Sequence, residues 1–396
     1  MSYDPKAPNR SMEGRARGWV YRGDAVTTRT RKTSERRPQR SRYVKVQAGL
    51  LADLFNGEWE FVDPGADPAG ATRFSAVDLF SGCGGMSLGM QWAGFDSVAA
   101  VEVDKDAAAT YRRNFPSANV WNGRIGDIQD SDVPSLVGTR AIDVLLGGCP
   151  CQGFSIAGRR DPEDPRNALF WETIRFARLL RPQFVVLENV PGIITMQGGQ
   201  VLELIRSEFS AIGYPDMTVL ILEAADYGVP QYRPRAIFVA NRLGVKNPYP
   251  NAVVTPEDHR SIESAIEDLA VVQRDLATNH DWTHHSPQMV ERLSKVEPGG
   301  SLYDSYTDAW KRQYTGVPSM TIKENHGGSH IHYHLDRTLS AREMARLQSF
   351  PDSFFFEGRM KRAMFQIGNA VPPVLAKHIG LAVRTRLRQP EDQEVV

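Results

Sequence analysis

From Phe74 to about Arg242, short apolar runs alternate with helical patterns, and this rhythm restricts the fold more than any other feature of the chain. The runs lie at 76–80, 98–103, 142–146, 184–187, 218–222 and 236–240. They are of strand length and mostly apolar, as strands covered on both faces are. Between them the spacing turns helical, as in Leu169-Phe170-Thr173-Ile174-Ala177-Leu180. Such alternation predicts an α/β fold, a largely parallel sheet with helices on both faces. Ligands of these sheets bind beyond the carboxyl ends of the strands, so the residues just past each run are the functional candidates.

The flanks behave differently. Residues 1–43 are rich in Arg, Ser, Thr and Pro without apolar periodicity, and read as a basic flexible arm. The formal charge of zero therefore hides an uneven distribution, and it does not exclude a polyanionic partner. The segment 44–72 is expected to hold one short amphipathic helix, from the spacing of Val46, Leu50, Leu51, Leu54 and Phe55 within 44–62, and then a linker around Pro64–Pro68. The alternating rhythm occupies 73–243. A stretch rich in Pro, Asn, Asp and His, 244–336, reads as a second, smaller domain. Helical order returns in 337–396, where Ser340-Ala341-Arg342-Glu343 is a capping-box pattern for a helix ending before Pro351.

With 41% hydrophobic and 24% charged residues in 396, the chain can bury a sizeable core and is not disordered throughout. Cys83, Cys149 and Cys151 form no CxxC pair and no disulfide framework, so a reducing cytosol is expected. Neither a signal-peptide core nor a run long enough to cross a bilayer is found, and a soluble monomer without membrane contact is expected.

Chemistry gathers at the strand ends. Gly147-Gly148-Cys149-Pro150-Cys151-Gln152-Gly153-Phe154-Ser155 follows the third run. A cysteine on a turn fixed by proline and loosened by glycines is held yet reachable, as a thiolate nucleophile must be. Asp78-Leu79-Phe80-Ser81-Gly82-Cys83-Gly84-Gly85-Met86-Ser87-Leu88-Gly89 joins the first run to a helix, and its glycines allow a ligand to approach the backbone. The spacing is not G-x-G-x-x-G, which disfavours a nicotinamide site. Glu102 ends the second run, where a carboxylate can bridge ribose hydroxyls, and Gly126-Asp127-Ile128 follows.

Taken with Glu188-Asn189-Val190, Gln231-Tyr232-Arg233-Pro234-Arg235 and Gln366-Ile367-Gly368-Asn369-Ala370-Val371, these segments make the chain resemble the DNA (cytosine-5)-methyltransferases of bacterial restriction-modification systems. The motifs fall in that family's order between about Phe74 and Pro373. The resemblance implies a Rossmann-like S-adenosylmethionine-dependent methyltransferase sheet with a smaller target-recognition domain. It implies S-adenosylmethionine as methyl donor, with Phe80, Gly82 and Gly84 along its methionine part, Glu102 at the ribose, Asp127 at the adenine, and Leu169 and Asn369 completing the pocket. Double-stranded DNA is then the substrate, and a cognate restriction endonuclease the functional partner. No metal is expected.

Carbon 5 of cytosine is a poor nucleophile, and addition of a thiolate at carbon 6 converts it into an enamine-like one. Cys151 is the candidate thiolate. Glu188, after the apolar strand Phe184-Val185-Val186-Leu187, is the candidate acid at ring N3, in surroundings able to keep a carboxyl partly protonated. Arg235 is the candidate support for the carbonyl oxygen of the base. Stacking in a duplex blocks all of this, so the cytosine must be flipped out.

Blander readings stand beside these. Cys149 departs from the family pattern, which often has proline there, and reads as a packed neighbour; Cys83 reads as a small filler. Glu188-Asn189 is also a common strand terminus with an Asx turn. Arg233 shares the face of Arg235, and either is a candidate for phosphate. His330, His332 and His334 alternate as on one strand face, where contact with DNA or solvent is expected rather than a metal. Two alternative functions remain, a tRNA cytosine-5 methyltransferase of the same fold and a DNA-binding relative without activity.

Overall fold

The apolar runs become strands of one sheet because each presents side chains to two cores. The computed structural model describes residues 58–63, 73–149, 168–303, 310–324 and 330–387. The basic arm, the helix expected before Gly57, the linker and Cys151 with its loop lie outside the described residues. The strands are β1 (Trp59–Val62), β2 (Phe74–Leu79), β3 (Phe95–Glu102), β4 (Asn119–Asn122), β5 (Val144–Gly147), β6 (Phe184–Asn189), β7 (Thr218–Glu223), β8 (Pro234–Asn241) and β9 (Asn247–Pro250). Helices are α1 (Gly85–Trp92), α2 (Lys105–Asn114), α3 (Val133–Val137), α4 (Ala168–Leu180), α5 (Gln200–Ala211), α6 (Glu263–Ile266), α7 (Pro287–Ser294), α8 (Ala341–Leu347), α9 (Met360–Asn369) and α10 (Pro373–Arg384).

Seven strands form the sheet in the order β4-β3-β2-β5-β6-β8-β7. All neighbours are parallel except β8, which runs against both β6 and β7. Val77, Leu79, Leu145, Val185 and Leu187 face α4 and α5 through Phe170, Ile174, Ile205 and Phe209. Their alternates Ala76, Val144, Leu146, Phe184 and Val186 face α1 and α10 through Met86, Met90, Leu375 and Ile379. Burial on both faces is the reason the runs lack a polar alternation. The order reverses between β2 and β5, and that crevice lies between the ends of Leu79 and Gly147, which are paired in register.

Two elements differ from the sequence expectations. Residues 59–62, expected at the tail of a helix, form β1 in a parallel pair with β9. The alternating side chains Trp59 and Phe61 pack edge-on to one another, and Trp59 meets Tyr249, a contact that a helix would not offer to both rings. At the sheet edge, β4 carries exposed Asn119, Trp121 and Asn122, and so lacks the apolar signature of its neighbours.

Residues 244–336 hold α6, α7 and two short paired strands, β10 (Lys311–Arg312) and β11 (His330–Ile331). Arg312 organises this stretch. Its Nε donates to Val296 O at 2.7 Å, Nη1 to His332 O and Leu335 O, and Nη2 to Leu293 O and the Asp336 carboxylate. All the N–H groups of a guanidinium are thereby used. Ile262, Ile266 and Ile322 share a core with Met344, Leu347, Met364 and Ile367 of the C-terminal helices. The helix expected after Ser340 is α8, and its capping box is formed by Ser340 and Glu343.

The histidines are a correction to the reading of a DNA-facing or solvated surface. His330 and His332 are buried, and burial pushes both imidazoles down to about 4. The ring of His332 accepts from the backbone of His334 and Leu335 at 3.0 Å, which is a turn-closing role. His334 alone of the set is exposed.

Candidate active site

The strand ends assemble the site. After β2 the backbone turns sharply, with Phe80 at φ 56, Gly82 at φ 54 and Gly84 at φ 94. The glycines of this turn have different surroundings. A Cβ on Gly82 would meet nothing, so open space lies beyond it, whereas one on Gly84 would strike the rings of Phe115 and Tyr111. Those on Gly85 and Gly89 would land on the carbonyls of Val371 and Pro373. Gly85 and Gly89 therefore serve the close approach of the 371–377 backbone, and the sequence expectation of ligand approach is left to Gly82.

Glu102 closes β3. One carboxylate oxygen accepts from the Gly82 amide at 2.8 Å and the other from the Asp104 amide at 2.7 Å. Burial pushes this carboxyl up, opposed by backbone hydrogen bonds from Gly82 and the Val103 peptide. A carboxylate has about four acceptor positions, so two amide contacts leave room for a pair of ribose hydroxyls. Val103, just past it, is 66% exposed, an apolar surface at the strand ends that the sequence reading missed. The sequence reading counts Val103 within the run 98–103, whereas the strand ends at Glu102.

Asp127 is exposed on the one-turn helix Ile125–Asp127, and Leu169 is 38% exposed on the first turn of α4. Asn369 is the exposed last residue of α9. Of this set, the structure joins the open glycine turn to the strand-end carboxylate directly, through the Gly82 amide and Glu102.

A second group of residues lies at the ends of β5, β6 and β8. Because β8 is antiparallel, its beginning lies beside the carboxyl end of β6, with Glu188 paired to Ile237 and Asn189 to Ala236. Arg235 is thus the diagonal neighbour of Glu188 on the same face. Its Nε donates to Glu188 Oε1 at 2.7 Å, with side chains only 11% and 13% exposed. A Cβ placed on Gly148 would lie 3.8 Å from Glu188 Oε2, so the segment entering Pro150-Cys151 passes beside this carboxylate.

Asn189 adds a contact that its Asx-turn reading did not include. Its Oδ1 accepts from the Val190 amide at 2.8 Å, and its Nδ2 donates to Cys149 O at 2.9 Å. The strand that presents Glu188 therefore also grips the peptide before Pro150. Cys149 itself is packed in the core among Leu145 and Val185. Cys83 is buried, and burial pushes its thiol up to about 12, leaving it un-ionised at neutral pH.

The alternation of the segment 231–235 has an unexpected use. Gln231 Nε2 donates to Leu347 O and Gln348 Oε1, while its Oε1 accepts from the Ile322 amide. Arg233 is 2% exposed and donates to Ile322 O at 2.7 Å, Gly368 O at 2.8 Å and Ala370 O at 3.0 Å. Arg233 is therefore excluded as a phosphate ligand, because its donors are turned inward to backbone carbonyls. The alternation of the two residues does not distinguish it from Arg235; only the order of the family motif favours Arg235 for the site.

Comparison with known proteins converges on one chemistry. The model of the family described as C-5 cytosine-specific DNA methylase matches residues 74–384. The Type II methyltransferase M1.HphI of Haemophilus parahaemolyticus is 38% identical over 322 residues, spanning 78% of this chain and 86% of its own. The Type II methyltransferase M.DdeI of Desulfomicrobium norvegicum is 34% identical over 362 residues, 76% of this chain and 86% of its own. A prophage-encoded Escherichia coli protein described as a DNA modification methyltransferase superposes with a TM-score of 0.66 at 26% identity, covering 79% of this chain and 99% of that one. The Dnmt2 methyltransferase of S. pombe, with a TM-score of 0.57 and 19% identity over 79% of this chain and 99% of its own, shares the fold.

Proposed function

The chain belongs to the C-5 cytosine-specific DNA methylase family, and we propose that it methylates a cytosine extruded from a specific site in double-stranded DNA through a transient bond to Cys151. It is a DNA cytosine-5 methyltransferase of the restriction-modification type, and S-adenosylmethionine is its cosubstrate. The observation that carries the route is the pairing of Glu188 with Arg235 at 2.7 Å, beside a strand end whose Asn189 holds the carbonyl of Cys149.

In this reading the Cys151 thiolate adds to carbon 6 of the base, forming a carbon–sulfur bond. Electron density that builds at ring N3 is met by a proton from Glu188, and Arg235 supports the carbonyl oxygen while fixing the carboxylate. Carbon 5, now nucleophilic, takes the methyl group, which the bound cosubstrate supplies as an electrophile on sulfur. Ring N3 then returns its proton to Glu188, a base removes the carbon-5 proton, that electron pair re-forms the ring double bond, and the Cys151 thiolate leaves. Glu102 would hold the ribose of the cosubstrate, with Phe80, Gly82 and Gly84 near its methionine part. Asp127 would meet the adenine, and Leu169 and Asn369 would close the pocket.

Residues 244–336 would read the site in the major groove, and residues 1–43 would add phosphate contacts without site choice. A cognate endonuclease cutting the same unmethylated site is the inferred functional partner. The test is a duplex bearing 5-fluorocytosine at the methylated position, incubated with S-adenosylmethionine, with plasmid and tRNA as parallel substrates. Loss of the carbon-5 proton is then impossible, so protein and oligonucleotide should remain covalently joined, and Cys151→Ser should abolish the adduct. An enzyme active on plasmid that gives no adduct overturns the covalent route, and activity confined to tRNA overturns the substrate.

A further inference from the structure

We infer that Arg233 is a positioning residue that aligns the methyl-donor pocket with the base pocket, an inference that rests on the function proposed above. Its guanidinium is buried and has no carboxylate within ion-pair distance among the described residues. A buried cation without a counter-charge is costly. Burial, and the neighbouring positive charge of Arg235, push its pKa well down from the usual arginine value, with Glu188 opposing. A residue needed only to fill this space would not carry that penalty.

Its partners give the reason. Nη2 donates to Gly368 O and Ala370 O, the carbonyls on either side of Asn369, which the donor reading places at the cosubstrate. Nη1 donates to Ile322 O, in the stretch proposed to read DNA. Two residues along the same strand entry, Arg235 holds Glu188. The planar fork of arginine can fix several carbonyls from separate segments in one geometry, which an ammonium cannot do. A Cβ on Gly368 would land on the backbone of Lys323 and Glu324, so the segments bound by Arg233 also lie directly against each other. Gln348 grips the same loop, donating to Ile367 O at 2.7 Å and Ala370 O at 3.3 Å.

The reaction offers a way to separate alignment from base chemistry. Without any donor, thiolate addition lets carbon 5 take a proton from water; removal of the original carbon-5 hydrogen by a base then re-forms the ring double bond as the thiolate leaves. A cognate duplex tritiated at carbon 5 therefore reports the base pocket alone. Methyl transfer reports both pockets together. Arg233→Lys should release tritium within about threefold of wild type while losing about 30-fold or more in methyl transfer. Gln348→Met should shift the same ratio in the same direction, and it decides the matter should the lysine variant fail to fold. Parallel loss of both activities in an active background, or loss of neither, overturns the alignment role. A wild-type protein inert in both assays overturns the reading beneath it, and this inference with it.

Discussion

The side-chain amide of Asn189 donates to the carbonyl of Cys149 at 2.9 Å, so the strand bearing one candidate catalytic group anchors the loop entry bearing the other. Asn189→Ala leaves that buried carbonyl without its donor, a local cost of about 1–3 kcal/mol. An alignment error of about 1 Å is enough to cost about 100-fold in rate. Methylation under single-turnover conditions should therefore fall about 10- to 100-fold, with donor affinity measured by calorimetry unchanged within about threefold. A variant as fast as wild type would show that the loop entry is positioned without Asn189.

Glu188→Gln keeps the shape of the side chain and removes its charge and its acid. Arg235 Nε can still reach the amide oxygen, so the pair at 2.7 Å should persist as a weaker hydrogen bond. Loss of a positioned general acid typically costs about 100- to 10,000-fold. The turnover number on cognate duplex should drop within that range, while donor binding, which is proposed to rest on Glu102 and the glycine turn, stays as in wild type. Retention of full turnover would remove Glu188 from the proton path.

How much of this was legible in the chain depended on who buries each residue. The central strands were readable because Val77, Leu145 and Val185 meet one core while Ala76, Val144 and Val186 meet another, which leaves apolar runs in the sequence. The edge strand β4 was not, since its exposed residues carry no such run. β9 was hidden by Pro248 and Pro250, which are tolerated because, among the described residues, it pairs with β1 alone. In the site, the order of motifs located Glu102, Glu188 and Arg235 at strand ends. The inward turn of Arg233 and His332 was invisible, because they hydrogen-bond to backbone groups, those of Arg233 distant in the chain, that impose no residue type.

The two classes of glycine in the first motif should separate in experiment. On Gly89, an added methyl would strike the Pro373 carbonyl and lie 2.6 Å from the Lys377 nitrogen, forcing α1 and α10 apart. Gly89→Ala should cost about 1–3 kcal/mol, read as a lower urea midpoint. Gly82→Ala meets no atom within 4 Å, and its φ of 54 is tolerated at a cost of about 1 kcal/mol. That variant should keep most of its stability and lose donor affinity. Equal effects of the two substitutions on unfolding would show that Gly82 is also a packing glycine.

Asp78 gives a pH dependence whose sign can be worked out. Burial pushes its carboxyl up to about 7, with Glu102 adding to the rise and the 2.6 Å hydrogen bond from Ser87 opposing it. The same residue titrates near about 3.9 in the unfolded chain. Between those values the folded state holds a proton that the unfolded state has released. The stabilisation is therefore full below about pH 4, declines as pH rises, and is lost above about pH 7, a change on the order of a few kcal/mol. Glu223, pushed up to about 7 by burial, acts in the same window, whereas His330 and His332, pushed down to about 4, act in the opposite sense on the acid side. Asp78→Asn cannot ionise and removes only its own share. Its urea midpoint relative to wild type should rise between about pH 4 and about pH 7, then level off. A difference that stays constant across that range would mean that Asp78 is already ionised at the acid end, and that the carboxylate is tolerated in the core beneath the glycine turn.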